Sequence, residues 1–379
     1  MKKHYLFGTV AILLAMLLLL SGCGAVTEVL DEHFPEEALP EEDQTAGPLP
    51  DREGRTYVVL LTTQLESDGM LSTVSLLTFQ TAEESIHWLA LPSALYIRSA
   101  GNTLEGSYQR AYQTELSKES GTGVSATQAG VQTVRELLET GLAIPIDYSI
   151  NLDKEQFGAL LSTLQELPMT LYEASGGLEA GEYTLSAQDA ISFLRYDQYD
   201  EPTDGQLTAR RYLTAALRQR AVEMLDMDKL SLHAMELRGE MTTDIPSDSG
   251  QDVFFLRRFL TAKNDDFALT YVGTQSVFYH NARYRVLSKE NTRRQINEQM
   301  CVYEKDLGEA HFDPSGVFWD PSSRVMQTVY SSAPMMPALY TLTAILEPPS
   351  EPETAPTTSD APPTEDAPAS GETSDSSEQ

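Results

Sequence analysis

Short apolar segments of strand length alternate with helical stripes between Tyr57 and Met224 of this 379-residue chain. Tyr57–Thr62 is a run of β-branched and apolar residues, which is typical of a strand buried on both faces. Leu71–Phe79 and Ile86–Leu91 repeat the signal, and the polar residues 80–85 between them predict a turn. The fold must therefore contain a buried sheet that includes a hairpin.

Helices are predicted after this hairpin. Apolar residues recur at helical spacing in Ala126–Thr140 and Thr208–Met224. Two shorter helices and one strand are predicted between them: the helix Phe157–Leu167 after an N-cap at Asp153, the helix Gln188–Leu194 after a cap at Ser186, and the strand Ile144–Ile150. The alternation predicts an α/β fold, a central mixed sheet with helices on both faces.

The pattern weakens beyond Leu230. The further elements predicted there are a helix at Val253–Leu260, strands at Phe267–Val272, Ser276–His280 and Arg283–Leu287, and a helix at Asn291–Met300. We expect one continuous domain over residues 56–300. Residues 301–346 form a turn-rich extension to which no element is assigned.

The first 23 residues have the pattern of a bacterial export leader. Lys2 and Lys3 precede the apolar run Leu6–Leu20, which is short for a membrane span and ends in small residues. Residues 20–23, Leu-Ser-Gly-Cys, resemble the lipobox of bacterial lipoproteins. The resemblance implies a signal peptide over 1–23 and a diacylglyceryl group on Cys23, which would hold the chain at the outer face of the cytoplasmic membrane. The alternative is an uncleaved membrane anchor.

The negative charge of the chain argues against nucleic acid as a partner, and two segments have a strongly biased composition. The formal net charge is −31, and no basic stripe is available to neutralise phosphates, so nucleic-acid binding is not expected. Residues 24–55 form an acidic linker, and residues 347–379 form a tail of Pro, Ser, Thr, Asp and Glu with no Lys or Arg. We expect both to be disordered, because they offer little apolar surface to bury.

Cysteine and histidine usage gives no sign of a disulfide framework or a zinc site. With Cys23 lipidated, Cys301 would have no partner. The six histidines show no ligand spacing: His4, His33, His87, His233, His280 and His311. No metal-binding residue is therefore predicted from the pattern alone.

Three stretches resemble the LytR-CpsA-Psr family of Gram-positive cell-envelope proteins. They are Leu71–Tyr96, Thr133–Ile150 with its Ile144-Pro-Ile-Asp-Tyr148 segment, and Leu178–Arg195. The resemblance covers about residues 57–225, with a weaker echo to about 300. It implies transfer of a glycopolymer from an undecaprenyl-pyrophosphate carrier to peptidoglycan. That chemistry calls for clustered arginines, a divalent cation such as Mg²⁺, and an apolar groove for the lipid.

Most of the family's charged positions are replaced here. Its aspartate before the hairpin falls on Ser72, its Arg-Asp pair on Ser93 and Ala94, and a second arginine on Asp197. A further arginine falls on Leu207, or on Gln206 with a one-residue slip. Arg195 and Arg210 keep matching positions and are the candidate pyrophosphate ligands. The nearby charged residues are Arg98, Arg211 and Asp204.

Each candidate residue has an ordinary structural interpretation as well. Arg195 near a helix end could simply complement the helix dipole, and Arg210 with Arg211 could form the solvated face of a helix. Ser93 as a nucleophile lacks a histidine in motif spacing. The catalytic residues therefore stay unknown.

Three functions remain open on the sequence. The first is a lipid-anchored LytR-CpsA-Psr-like protein with a degraded active site, which binds a polyprenyl-linked or wall-glycan partner or an active paralogue. The second is an active phosphotransferase with a divergent arginine set that uses Mg²⁺. The third is a non-catalytic extracellular adaptor. An apolar groove beside Arg195 and Arg210 is expected for the first two and is not required by the third.

Lipidation is tested by Cys23→Ala. Without the thiol no thioether can form, so the precursor should stay unprocessed and should not incorporate a fatty-acid probe. Labelling of the variant in vivo would show that the lipoprotein assignment is wrong.

Overall fold

The computed structural model describes residues 49–52, 54, 56–64, 71–97, 100–118, 125–163, 166–194, 204–239, 241–279, 282–308, 311, 327–328 and 339–342. The leader with Cys23, most of the acidic linker and the whole acidic tail lie outside these residues. Their predicted properties stay predictions.

A seven-stranded mixed sheet forms the centre of the fold. The strands are β1 (Thr56–Gln64), β2 (Thr73–Gln80), β3 (Ile86–Leu91), β4 (Tyr96–Ile97), β5 (Asn102–Thr103), β6 (Tyr148–Asp153), β7 (Leu167–Leu171), β8 (Gly181–Leu185), β9 (Thr242–Thr243), β10 (Phe267–Tyr271), β11 (Thr274–Tyr279), β12 (Ala282–Leu287), β13 (Gln327–Thr328) and β14 (Tyr340–Thr341). The order in the main sheet is β14-β10-β3-β2-β1-β6-β9. β6 runs parallel to β1 and β10 runs parallel to β3, whereas β2 is antiparallel to both β1 and β3.

Helices cover both faces of this sheet. They are α1 (Leu104–Leu116), α2 (Ala126–Leu142), α3 (Lys154–Thr163), α4 (Ala187–Leu194), α5 (Asp204–Met224), α6 (Leu230–Gly239), α7 (Gln251–Thr261) and α8 (Lys289–Gln295), which continues as a π-helix over Ile296–Met300. One hydrophobic core contains residues of α3 to α7, and the other contains residues of α1, α2 and the π-helix. The predicted α/β fold with a mixed sheet and helices on both faces is confirmed.

β1 supplies side chains to both cores. Val58 and Leu60 belong to the core under α1 and α2, and Val59 and Leu61 belong to the core under α5 and α7. All four are at most 2% exposed. A strand that alternates between two apolar layers needs apolar residues at every position, which explains the continuous run seen in the sequence.

The capping residues set the helix starts. Ser125 and Gln128 form a capping box at α2. Asp153 Oδ1 accepts a hydrogen bond from the Gln156 amide at 2.8 Å, and Ser186 Oγ accepts one from the Asp189 amide at 3.2 Å. Both predicted N-caps are therefore confirmed.

Two predicted elements are displaced. The strand expected at Ile144–Ile150 is found at Tyr148–Asp153, because the Asp147 carboxylate accepts a hydrogen bond from the Val58 amide at 2.8 Å and holds the preceding residues outside the ladder. The helix expected at Phe157–Leu167 ends at Thr163. Leu167–Leu171 is strand β7, which contains Pro168 and pairs with β8. A proline within a helix would remove a hydrogen bond and clash with the preceding turn.

The second half of the chain completes the sheet. The predicted helix near Val253 is α7, and the three predicted strands are β10, β11 and β12. β11 pairs with β12 and β13 in a separate three-stranded sheet. Tyr340–Thr341, from the extension left unassigned, pairs with β10 at the edge of the main sheet.

The chain is fixed to the domain just before β1. Arg52 Nη1 lies 2.9 Å from both Asp147 oxygens, and Arg52 Nη2 donates to the Pro145 carbonyl at 2.7 Å. One residue earlier, the Asp51 carbonyl accepts from the Glu304 amide at 3.0 Å. Residues 51 and 52 are thus tied to two separate loops.

Among the described residues, none of the helices combines the length and the apolar composition needed to cross a bilayer.

Close packing of α1 on α2 is tested at Gly130. A Cβ atom at this position would lie 2.5 Å from Tyr108 Cε2, so Gly130→Ala should destabilise the fold by about 1–3 kcal/mol despite the better helix propensity of alanine. Gly158→Ala in α3 is the matched control. Its Cβ would meet nothing within 4 Å, so it should stabilise by up to about 1 kcal/mol. Urea unfolding measures both, and equal effects would contradict the packing.

Candidate functional site

The candidate site lies at the carboxyl ends of β1, β3 and β6. Ligands of open α/β sheets commonly bind at this edge. β1 ends at Gln64, β3 at Leu91 and β6 at Asp153, while the antiparallel β2 begins at this same edge. The edge therefore brings together the residues before β2 and after β3, where the sequence resemblance expects charge.

Ser72 and Ser93 both lie at this edge and both are buried, at 5% and 1% exposed. The Ser72 amide donates to the Thr63 carbonyl at 2.8 Å, and the Ser93 carbonyl accepts from the Glu105 amide at 3.0 Å. Ser93 Oγ has no hydrogen-bond partner among the described residues. Ala94 follows and is half-buried. Small neutral residues thus occupy the positions of the family's charged pair and aspartate.

The other polar groups that the structure describes at this edge are neutral or already bonded. The Gln64 side-chain amide donates to the Tyr108 hydroxyl, and burial raises the pKa of Tyr108 well above its usual value. Thr62 Oγ1 donates to Asn151 Oδ1 at 2.9 Å. The carboxylate of Asp153 caps α3. Within the described ranges, no group of three or more His, Cys, Asp or Glu side chains could hold a metal ion.

The arginines of α5 are buried. Arg210, Arg211 and Arg218 are 3%, 5% and 7% exposed, so the interpretation of Arg210 and Arg211 as a solvated helix face is wrong. A buried guanidinium must have hydrogen-bond acceptors around it. Arg211 and Arg218 each donate hydrogen bonds to carbonyl acceptors.

Arg211 and Arg218 hold neighbouring segments in place. Arg211 donates to the Thr341 carbonyl from Nε at 3.0 Å and from Nη2 at 2.6 Å, and its guanidinium lies 4.9 Å from the Tyr340 ring centroid. Arg218 donates to the carbonyls of Phe259, at 3.0 Å, and Ala262, and to Asn264 Oδ1 at 2.8 Å. Burial lowers the pKa of Arg218 to about 10, which still leaves it protonated at neutral pH.

The candidate ligands are only partly placed. Arg210 is a buried residue of α5. Arg195, Asp197, Arg98 and the lipidation site Cys23 lie outside the described residues. The position of Arg195 relative to Arg210 is therefore outside the described residues, and their role as pyrophosphate ligands stays a prediction.

The layer between the sheet and α7 is closely packed. An apolar cavity of about 10 Å³ lies between the sheet and α7, lined by six residues: Val59, Leu61, Leu77, Phe79, Ile150 and Phe255. Rings surround it, with Phe79 and Phe255 centroids 4.7 Å apart and Tyr57 and Phe255 centroids 5.7 Å apart. Such a space holds about one water molecule.

Sequence reasoning did not find the Gln64–Tyr108 contact. It assigned no helix to 104–116, although Leu104, Tyr108 and Tyr112 have helical spacing behind a threonine. Thr103 is the N-cap, and its side chain accepts from the Gly106 amide at 3.0 Å. This threonine is the signal that could have located α1.

The structural role of Arg218 is testable. Arg218→Met should lower the free energy of unfolding by about 2–4 kcal/mol, because three acceptors near the end of α7, in two buried hydrogen bonds and one part-buried one, lose their donor. Arg257→Met, at an exposed position of α7, is the control and should change it by less than about 0.5 kcal/mol. Urea denaturation measures both. Equal free energies of unfolding for the two variants would show that the Arg218 hydrogen bonds do not stabilise the fold.

Solved structures with a similar fold exist, while no protein-family model and no curated protein sequence matches this chain. Protein gbs0355 from Streptococcus agalactiae has a TM-score of 0.51 at 12% identity, over 70% of this chain and 92% of that one. B. subtilis TagV has a TM-score of 0.47 at 14% identity, over 67% and 100%. TagT bound to LI-WTA has a TM-score of 0.46 at 15% identity, over 64% of this chain and 90% of that one. The likeness to gbs0355 concerns the fold alone, and it agrees with the α/β fold predicted from the sequence.

Proposed function

We propose that this chain is a LytR-CpsA-Psr-like protein of cell-envelope assembly that binds a wall-glycan or polyprenyl-linked partner and does not transfer glycopolymer. The observation that carries the proposal is the lack of charge at the two described serines of the sheet edge. Ser72 and Ser93 are buried where the sequence resemblance places charged groups. The anchor is the lipid on Cys23, at the outer face of the cytoplasmic membrane.

The neutral edge is a poor site for phosphoryl transfer. Negative charge that develops on a pyrophosphate must be met by cations or strong donors, each contributing about 3–4 kcal/mol of transition-state stabilisation. Serine hydroxyls carry no charge, and the nearby Asp153 carboxylate is used to cap α3. Arg211 and Arg218 are bonded to backbone carbonyls. A transferase of this kind would lack most of the electrostatic stabilisation that the reaction needs.

The packed layer beneath the edge favours a glycan over a lipid. Ligand pockets usually enclose about 300–1,000 Å³, whereas the apolar cavity between the sheet and α7 has about 10 Å³. A polyprenyl chain could enter there only if α7 moved away from the sheet and Phe255 left its contact with Phe79. A glycan bound at the protein surface requires no such movement. Of the two partner classes, the wall glycan is therefore the one we favour.

The transfer reaction itself gives the first test. With a lipid-pyrophosphate glycopolymer donor, peptidoglycan acceptor and Mg²⁺, the purified mature chain should show turnover at background level, while an active transferase of the family serves as positive control. A robust rate that is lost in Arg195→Ala would overturn the non-catalytic assignment and support the phosphotransferase alternative.

Partner binding is measured on the same preparation. The mature chain should sediment with purified peptidoglycan sacculi, and polyprenyl phosphate should not co-purify in a lipid extract examined by mass spectrometry. Co-purified polyprenyl phosphate would make the lipid the partner. Failure to bind either material would overturn the proposal and leave the adaptor function.

A further inference from the structure

A chain of hydrogen bonds joins the end of β2 and the start of β3 to the end of the π-helix. His87 Nε2 lies 3.1 Å from Ser85 Oγ, and Ser85 Oγ lies 2.8 Å from Gln80 Oε1. Gln80 Nε2 lies 3.2 Å from the Met300 carbonyl and 3.0 Å from the Cys301 carbonyl, and it donates to both. This set of contacts, here called the His87 chain, connects a titratable ring to the backbone of residues 300 and 301.

The direction of each bond in the His87 chain follows from counting hydrogens. Both hydrogens of the Gln80 amide are donated to carbonyls, which places its oxygen toward Ser85. An amide oxygen can only accept, so the Ser85 hydroxyl donates to it and accepts from the Nε2–H of His87. The neutral ring therefore carries its proton on Nε2. Its Nδ1 is a buried acceptor that makes no hydrogen bond within the described part of the chain.

A second proton on this ring would be poorly solvated. Burial lowers the pKa of His87, although the Gln299 carbonyl and the Glu83 carboxylate both favour the charged ring. A ring released into solvent keeps the ordinary value of 6.5, so below this pH the released form binds a proton more readily than the closed form. A fall in pH through this range therefore favours release, and a rise in pH above it restores the closed form.

Two other acidic groups on the elements around the ring already have partners. Glu84, in the same turn, is paired with Arg258 at 3.1 Å. Glu298, on the π-helix, is paired with Arg294 at 3.4 Å. Acidic side chains lose their charge well below the range in which histidine titrates. We therefore expect His87 to be the group on these elements that responds between about pH 5 and 7.

The segment bonded to the His87 chain also holds the N-terminal side of the domain. The Glu304 amide donates to the Asp51 carbonyl at 3.0 Å, and Tyr303 forms an isolated bridge with Arg52. The backbone of the segment is strained at Cys301, a non-glycine residue with a φ of 46°. A strained segment that is bonded at a few points should separate locally at a lower free energy than the whole domain needs to unfold.

We propose that the His87 chain is a proton-operated switch, which holds residues 300–304 against the sheet while His87 is neutral and releases them when its ring is protonated. Release also breaks the hydrogen bond between Glu304 and Asp51. A lower pH therefore loosens the attachment of the N-terminal linker to the domain. The inference does not depend on the proposed function, since it requires neither a glycan nor a lipid.

Hydrogen exchange of the mature chain, followed by mass spectrometry, tests the switch. The peptide that covers residues 299–304 is compared with a peptide from α5, and an unfolded reference corrects both for the intrinsic effect of pH on exchange. From about pH 7.5 to about pH 5, exchange of the 299–304 peptide should rise severalfold, while the α5 peptide should change much less. In His87→Gln, whose amide can still donate to Ser85 but does not titrate, the rise should be absent. An equal rise in the two chains would overturn the proposal.

His233→Gln is the matched control. His233 is a buried histidine of α6, a helix that packs in the other core. Its replacement should leave the pH response of the 299–304 peptide as it is in the parent chain. If the response disappears in this variant as well, it does not come from His87 and the switch is wrong.

Glu83→Gln separates a titrating role of His87 from a structural one. Glu83 is exposed, so the variant should fold normally, and it serves as the test if His87→Gln does not fold. The substitution removes a charge that favours the proton on His87, so the rise in exchange should occur at a lower pH. Low ionic strength is used, because salt screens exposed charges. A rise at the same pH as in the parent chain would contradict the switch.

Discussion

The alternation of β1 between two apolar layers is the constraint on which the rest of the structure depends. Because Val58 and Leu60 face one core while Val59 and Leu61 face the other, the strand cannot lie at a surface. A strand buried on both faces requires helices on both sides, and its two edges must be paired, here by β2 and β6. The three-layer architecture follows from nine residues near the start of the domain.

The sequence predicted the elements whose pattern is set by local physics. The β2–β3 hairpin, the helix near Val134 and the capped starts at Asp153 and Ser186 depend on periodicity and capping, and all are confirmed. The displaced strand at Tyr148 depends on Asp147, whose carboxylate is bonded to the amide of Val58, far away in sequence. Strand β14 likewise exists only because β10 offers an edge for pairing. Such elements carry little signal in their own residues.

The sequence predicted which charged groups are missing from the candidate site. It did not predict what the arginines of α5 bind. Ser72, Ser93 and Ala94 could be identified as neutral substitutions by reading the sequence alone. The burial of Arg211 and Arg218 could not, because their partners are carbonyls of segments that follow much later, at Thr341 and Phe259. The donors of these two arginines hold the ends of a helix and a strand, and nothing in the local sequence indicates this.

The attachment of residues 51 and 52 to the domain has a mechanical consequence. With the anchoring and wall binding proposed above, the chain would be pulled from its N-terminal side. Tension that arrives along the chain at Leu49 meets the Asp51–Glu304 hydrogen bond and the Arg52–Asp147 ion pair before it reaches β1. These contacts would transfer the load to the two loops that contain Asp147 and Glu304, so less of it would reach the hydrogen bonds between β1 and β2. The strand that contributes to both cores would therefore bear less of a load applied at Leu49.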